Sequence, residues 1–236
     1  MTRLREQDFR AALEVLGAMT EGARDVASFA AVGVERLPAL VASEFTTLSV
    51  CNLVNGRREV YGMPAGALSA TDRAAFDRHF NEHPLVRYHG YDGGRRTRRI
   101  SDSIPFDRFR RTALYNDYYR RIRIDNAMAL PIYVRDGLLV SFVLNRTRRD
   151  FSERERLLLD LIQPQLARLY SRVRGLGTLT AREAEILRWV AAGKSDRQIG
   201  LILGTSPRTV QKHLQHLYEK LGVENRTAAA ARALKP

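Results

Sequence analysis

The stretch SPRTVQKHLQHLYEKL, Ser206 to Leu221, sets amide, ammonium and guanidinium groups at helical spacing beside an apolar stripe. Ser206 at the N-cap and Pro207 at the first helical position start a helix. Val210, Leu214, Leu217 and Leu221 then fall on one face, enough to dock the helix on a core. Arg208, Gln211, Lys212, Gln215 and Glu219 fall on another. That second face is either solvated surface, as most polar helix faces are, or a face that touches nucleic acid.

Other residues offer chemistry with weaker spacing. Of His79, His83 and His89, only the first pair has the i, i+4 separation that two ligands on one helix need, and no third ligand accompanies it, so no metal is expected. Cys51 is the single cysteine; it cannot form an internal disulfide and reads as a small buried residue in a strand. Phe106, Phe109, Tyr115, Tyr118 and Tyr119 recur at helical spacings and read as core before pocket. Arg95, Arg96, Arg98 and Arg99, with Arg108, Arg110 and Arg111, read as a solvated basic loop, the alternative being a receiver for an anionic ligand or DNA phosphate. No nucleophile and base pair, metal set or phosphate loop is evident, so neither an enzyme nor a cofactor is expected.

The elements that must position these groups come from a chain of 236 residues, long enough for two cores. A formal net charge of +13 favours a polyanionic partner, nucleic acid first and an anionic membrane surface second. The N-terminus has charge without an apolar segment, and no apolar run approaches the roughly 18 residues of a membrane span, so a soluble cytoplasmic protein without a membrane partner is expected. All four lysines, Lys194, Lys212, Lys220 and Lys235, follow GLGTL (Gly175 to Leu179), a short flexible linker. The domain break is placed near residue 176, giving domains 1–175 and 176–236.

Within the first domain, residues 6 to 19 and 25 to 42 carry helical periodicity, with an N-cap at Asp25. Two hairpins follow, one turning on the two residues Asn55-Gly56 and one at Asp136-Gly137. Helical segments from Thr71 to His83 and from Phe106 to Ile122 lie between them. Ser152 and Glu155 form a capping box that opens a long helix with an apolar stripe through Leu158, Ile162, Leu166, Leu169 and Val173, to pack on its own sheet or a second copy; Pro164 should kink it. The order predicts an α+β domain around a central antiparallel sheet.

In the second domain Thr180 with Glu183, and Ser195 with Gln198, are two more capping boxes; the helices they open are ended by Gly193 and Gly204. The second carries Ile199, Ile202 and Leu203 as its apolar side, and Gly204-Thr205 turns into the Ser206 helix. Two short helices joined this way are a helix-turn-helix, and an alanine-rich helix after Asn225 closes an all-α four-helix bundle.

The segment LTAREAEILRWVAAGKSDRQIGLILGTSPRTVQKHLQHLYEKLGVENRTAAAARAL closely resembles the DNA-binding domain of LuxR-type (LuxR/FixJ/NarL) bacterial transcription regulators, through LTxRE, the GKS between helices and TVxxHxxxxxxKLGV. The resemblance covers residues 177 to 234. It implies that the third helix enters the major groove of double-stranded DNA, with Gln211, Lys212 and Gln215 facing bases. Lysine donates to guanine O6 or N7, and glutamine pairs with adenine N6 and N7. It also implies phosphate contacts from Lys194, Ser206, Arg208, Thr209 and Lys220, with Asn225 and Arg226 at the start of the last helix; such contacts orient the helix without specifying sequence. His213 matches the family's histidine, either as a phosphate contact or as a half-buried packing residue, and Trp189 is expected to pack. One module offers few charged contacts, so a homodimer on adjacent half-sites is expected, with RNA polymerase a further candidate partner.

Regulators of this type differ in what precedes the DNA-binding domain. Residues 1 to 60 lack the acidic pair of a receiver domain, and no GxxxxGK[ST] loop occurs. An acyl-homoserine-lactone domain would be expected to bring tryptophans into its pocket, yet Trp189 is the only one and lies outside. What remains resembles the GAF-like sensor domains found ahead of this DNA-binding domain. The expected function is a sequence-specific, dimeric transcriptional regulator whose N-terminal domain senses a small-molecule ligand of unknown identity or a protein partner. The alternative is a constitutive regulator whose N-terminal domain only dimerises.

Overall fold

The computed structural model describes residues 3–62, 68–135, 137–174, 179–221 and 223–234. The linker at 175–178, with the break near 176, and residues Asp136 and Lys235 lie outside the described residues. The chain divides into two compact units, Met1–Tyr170 and Ser171–Pro236.

The first unit is built on one five-stranded antiparallel sheet. Helices α1 (Glu6–Gly22) and α2 (Val26–Leu40) pack on each other. Asp25 caps α2 as its sequence predicts: its carboxylate accepts the Ser28 N–H at 2.8 Å. Strands β1 (Phe45–Asn52) and β2 (Arg57–Tyr61) form the first hairpin. Its register pairs Asn52 with Arg57, so the connection is four residues, not the expected two. The Asn52 side chain decides this, since its Oδ1 accepts the N–H groups of Val54 and Asn55 at 2.9 and 3.2 Å, and Gly56 closes the loop at a φ of 68°.

After α3 (Ala70–Arg78) the expected helix to His83 breaks into short turns, including α4 (Pro84–Val86). Pro84 stands at the start of α4, where its missing N–H costs nothing, and His83 caps that turn by accepting the Leu85 N–H. Strand β3 (Arg98–Arg99) pairs with the sheet, α5 (Phe106–Phe109) follows, and Tyr115–Tyr119 forms one wide helical turn, so the expected helix from Phe106 to Ile122 is also broken. Strands β4 (Asn126–Arg135) and β5 (Leu138–Arg146) complete the order β2-β1-β5-β4-β3. Arg135 pairs with Leu138 across the second turn. The β4 register slips between Pro131 and Tyr133, where proline has no N–H for the ladder.

Helix α6 (Glu153–Val173) starts at the Ser152 and Glu155 capping box and runs uninterrupted through Pro164. Its stripe of Leu158, Ile162, Leu166, Leu169 and Val173 is buried within the chain. Tyr170 stacks near Phe29 of α2 and Tyr133 of β4, which places α6 on the same sheet face as α2.

Residues 46 to 51 of β1 are all buried because both faces of the sheet are covered. Strand alternation separates the faces. Phe142 turns to α2, where Gly33 lets the ring approach: a Cβ there would lie 2.2 Å from its Cζ. Cys51, Ala129 and Leu139 turn the other way, toward Phe76, Leu85, Tyr118 and Tyr119 on the broken helices.

The second unit contains α7 (Ala181–Ala191), α8 (Asp196–Leu203), α9 (Pro207–Leu221) and α10 (Arg226–Leu234). The capping boxes at Thr180 and Ser195 are both formed, and Gly204 ends α8 in the left-handed conformation at a φ of 63°. Its core joins Ile186, Val190, Ile199, Val210 and Leu214 along the first half of α9, and Leu187, Leu217, Leu221, Ala229 and Ala233 along the second. Trp189 packs partly buried against the first group. Ile202, expected on the inner side of α8, is instead 46% exposed, because an eight-residue helix buries only the turn centred on Ile199.

Candidate nucleic-acid interface and buried cavity

The apolar stripe of α9 is fully committed: Val210, Leu214, Leu217 and Leu221 are all buried. That fixes which side of the helix remains outside. Arg208, Thr209, Gln211, Lys212, Gln215 and Glu219 are exposed, and His213 is half-buried at the margin. Gln211, Lys212 and Gln215 therefore share one solvent-facing surface, and neither Lys212 nor Arg208 forms an ion pair among the described residues. The start of α9 is capped by Ser206, whose Oγ accepts the Thr209 N–H at 3.1 Å and lies 2.9 Å from the Thr209 hydroxyl.

The remaining phosphate candidates sit elsewhere in the unit. Lys220 Nζ donates to both carboxylate oxygens of buried Glu183, at 2.9 and 2.7 Å, tying the end of α9 to the start of α7. Burial pushes the Glu183 carboxyl up, but Lys220 and the Thr180 cap outweigh it and hold the group below the usual range. Arg226 pairs with Asp196 at 2.5 Å and also donates to the Lys194 backbone carbonyl, so it joins α10 to the start of α8. Asn225 caps α10 by accepting the Ala228 N–H at 2.9 Å. Lys194 is half-buried, with no ion pair among the described residues. Sequence spacing gave no hint of the Lys220–Glu183 and Arg226–Asp196 pairs, because both join positions about 30 residues or more apart.

Gly200 is a further residue of this unit that spacing alone overlooks. A Cβ there would come within 2.7 Å of the Thr205 carbonyl oxygen, so glycine is what lets α8 press against the turn into α9. A glycine inside a short helix is the available signal, since it costs helix stability unless a close approach requires it.

The first unit holds a partly open cavity of about 100 Å³ between the sheet and the broken helices. Its floor is Thr47, Ser49, Cys51, Ala129, Leu139 and Ser141; small residues at alternate strand positions leave the space open. Burial pushes the Cys51 thiol up to about 11, so it stays a protonated, inert wall group. Arg58 reaches in from β2, with its guanidinium 3.4 Å from the Phe76 ring centroid and an N–H donated to the Tyr118 hydroxyl at 2.5 Å.

Two histidines of the lining have defined protons. Burial lowers His83 to about 3 and His89 to about 4, so both rings are neutral. His83 Nδ1 accepts the Leu85 N–H at 3.2 Å, which leaves the ring proton on Nε2 to be donated to the Tyr119 hydroxyl at 2.7 Å. His89 donates from Nδ1 to the Gly94 carbonyl at 3.0 Å, which leaves Nε2 as a bare acceptor. The buried His89 Nε2 and Ser141 Oγ have no hydrogen-bond partner among the described residues. His79 turns instead to Asp117, at 2.9 Å, so the three histidines do not converge.

The aromatic group divides between two roles: Tyr118 and Tyr119 line the cavity, while Phe109 and Tyr115 pack behind them. Of the arginine group, Arg95, Arg96, Arg108, Arg110 and Arg111 are exposed, as the solvated reading expects, while part of the run is tied down. Arg96 pairs with Asp160, Arg99 with Asp102 and Glu153, and the backbone at Arg98 and Arg99 forms the edge strand.

A short helix, a tight turn ending on a left-handed glycine, and a second helix with a polar outer face define a DNA-binding helix-turn-helix module. Residues 177–233 match the family described as bacterial regulatory proteins, luxR family, and the C-terminal unit belongs to it. The transcriptional activator protein AnoR of Acinetobacter nosocomialis is 48% identical over 56 residues, 24% of each chain. The HTH-type quorum sensing-dependent transcriptional regulator RpaR of Rhodopseudomonas palustris is 33% identical over 145 residues, 57% of this chain and 58% of its own. The chain thus spans less than two thirds of the curated relatives it matches. Among solved structures, the VqsR LBD domain from Pseudomonas aeruginosa covers 70% of this chain and 98% of its own at a TM-score of 0.57 and 14% identity, a likeness of fold.

These matches correct one exclusion. The RpaR similarity extends beyond the C-terminal module, so a shortage of tryptophan does not separate this chain from quorum sensing-dependent regulators. Tryptophan content describes pocket chemistry, whereas the fold rests on the sheet and its covering helices.

Proposed function

We propose that this protein is a sequence-specific DNA-binding transcriptional regulator of the cytoplasm. Residues 176–236 read double-stranded DNA as one half of a homodimer, and residues 1–175 form a GAF-like domain that senses a small molecule. The observation that carries the DNA-binding half is the exposed face of α9, with Gln211, Lys212 and Gln215 side by side on a helix whose opposite face is buried. In this reading these three meet base edges. Lys194, Ser206, Arg208, Thr209 and His213 meet phosphates. Lys220, Asn225 and Arg226 lie at the margin, where their internal bonds compete with phosphate.

The sensing half is supported by the cavity, whose lining holds polar atoms without a partner among the described residues, and by the similarity to RpaR, a quorum sensing-dependent regulator. The DNA-reading assignment is tested on sites selected from random duplexes. Lys212→Ala should weaken binding to a selected site by about 1–3 kcal/mol, with little change on unrelated DNA. Equal losses on both would make Lys212 a phosphate contact, and no loss on either overturns the assignment.

A further inference from the structure

The cavity carries more information than its presence, because its hydrogen-bonding groups have a sign. Arg58 brings a positive charge to the wall, and none of the described residues lining the cavity is acidic. Asp77 accepts the backbone N–H of Arg58 at 3.3 Å, and the guanidinium forms no ion pair among the described residues. The Tyr118 hydroxyl oxygen is occupied as an acceptor from Arg58, so its own proton points to a further partner. The same holds for Tyr119, whose oxygen accepts from His83 and whose proton burial holds in place. Neither tyrosine hydroxyl donates to any described residue. One guanidinium and two hydroxyl donors thus gather on the aromatic side of the cavity, while Ser141 Oγ on the sheet side has no partner among the described residues.

A cation, two hydroxyl donors and no carboxylate in the lining favour an anionic oxygen ligand on this side of the cavity; the unpartnered acceptor of the lining, His89 Nε2, is left to a donor elsewhere on the ligand or to water. A carboxylate fits this set: it carries one charge against one guanidinium, and its lone pairs can accept from Arg58 and both tyrosines. A phosphate carries more charge than a single arginine offsets in an apolar site. Size limits the rest of the molecule. A cavity of about 100 Å³ is somewhat smaller than the roughly 150 Å³ that encloses benzene, so the apolar body is one ring or a short chain. Phe76, Leu85, Val86 and Leu139 line its space.

We propose that this cavity binds a small monocarboxylic acid in its ionised form, with the carboxylate on Arg58, Tyr118 and Tyr119 and a body of about one ring against the sheet. This rests on the sensing reading above and specifies the class of molecule sensed.

The test measures thermal shift and calorimetric binding of the full chain with benzoate, hexanoate, benzamide and N-hexanoyl homoserine lactone. Benzoate or hexanoate should stabilise the protein and bind, and benzamide should bind at least about tenfold more weakly than benzoate. Arg58→Met should abolish the preference for acid over amide. Tyr119→Phe removes a single oxygen from the core and should weaken acid binding several-fold without changing the fold. If benzamide or the lactone binds and the acids do not, the carboxylate assignment is overturned while the sensing reading stands. If no probe binds, the assignment is overturned, and silence across a broad metabolite set removes the sensing reading as well. Unchanged acid binding in both variants also overturns it.

Discussion

Lys220 poses a choice between two roles that a single substitution separates. The family resemblance gives it a DNA phosphate, whereas the structure pairs it with a carboxylate that is almost fully buried. Removing Lys220 leaves Glu183 buried without its counter-charge and held by the Thr180 cap, so Lys220→Ala should cost about 1–3 kcal/mol of stability in the C-terminal unit, read from urea unfolding. A phosphate contact alone would lower DNA affinity and leave unfolding unchanged. The two cavity histidines make a second residue-scale prediction. Their folded values, about 3 and about 4, lie below the usual imidazole value of 6.5, so the unfolded chain binds protons first as pH falls. The stability they contribute is complete above pH 6.5, and declines as pH drops toward 4 for His89 and toward 3 for His83. Urea midpoints should therefore fall across that window, with a shallower slope in His83→Gln.

At the scale of elements, the second unit depends on how closely α8 approaches the turn that feeds α9. Gly200 sits against the Thr205 carbonyl and its own carbonyl accepts the Thr205 N–H at 2.9 Å, so backbone meets backbone with no side chain to yield. Gly200→Ala should cost about 1–3 kcal/mol and weaken DNA binding, because the turn must open to admit the methyl group. Melting of the C-terminal unit and affinity for a selected site check the two effects together; a more stable Gly200→Ala protein would sink the close-approach account. In the first unit the same logic applies to the cavity. Small residues on β1 and β5 and broken helices opposite them leave space that continuous helices would fill.

For the molecule as a whole, the charge of +13 and the dimer expectation meet in the salt dependence of DNA binding. Each phosphate contact contributes about one unit of slope in log affinity against log salt. If two copies bind adjacent half-sites, Arg208→Ala should reduce that slope by about two units, and by about one if a single copy binds. Sedimentation of the complex on the same duplex checks the stoichiometry independently.

The C-terminal unit was legible in the sequence because its signals are local. Capping boxes at Thr180 and Ser195, the glycine at 204 and the stripe through Val210 and Leu221 each act within one helical turn or along one helix, and they fixed the elements and the face of α9 left outside. The hairpin order likewise determined an antiparallel sheet. What tertiary structure decided was long-range. It fixed which partner holds Lys220, why Gly200 is glycine, and that the arginines near residue 98 are spent on ion pairs and an edge strand. It also made the cavity, whose walls come from strands and helical turns far apart in the chain. Alternation could mark Thr47, Ser49, Cys51 and Ser141 as one face, but only folding set Arg58, Tyr118, Tyr119 and His89 around it. The proton positions there follow from which neighbour each ring nitrogen meets, a property no local pattern encodes.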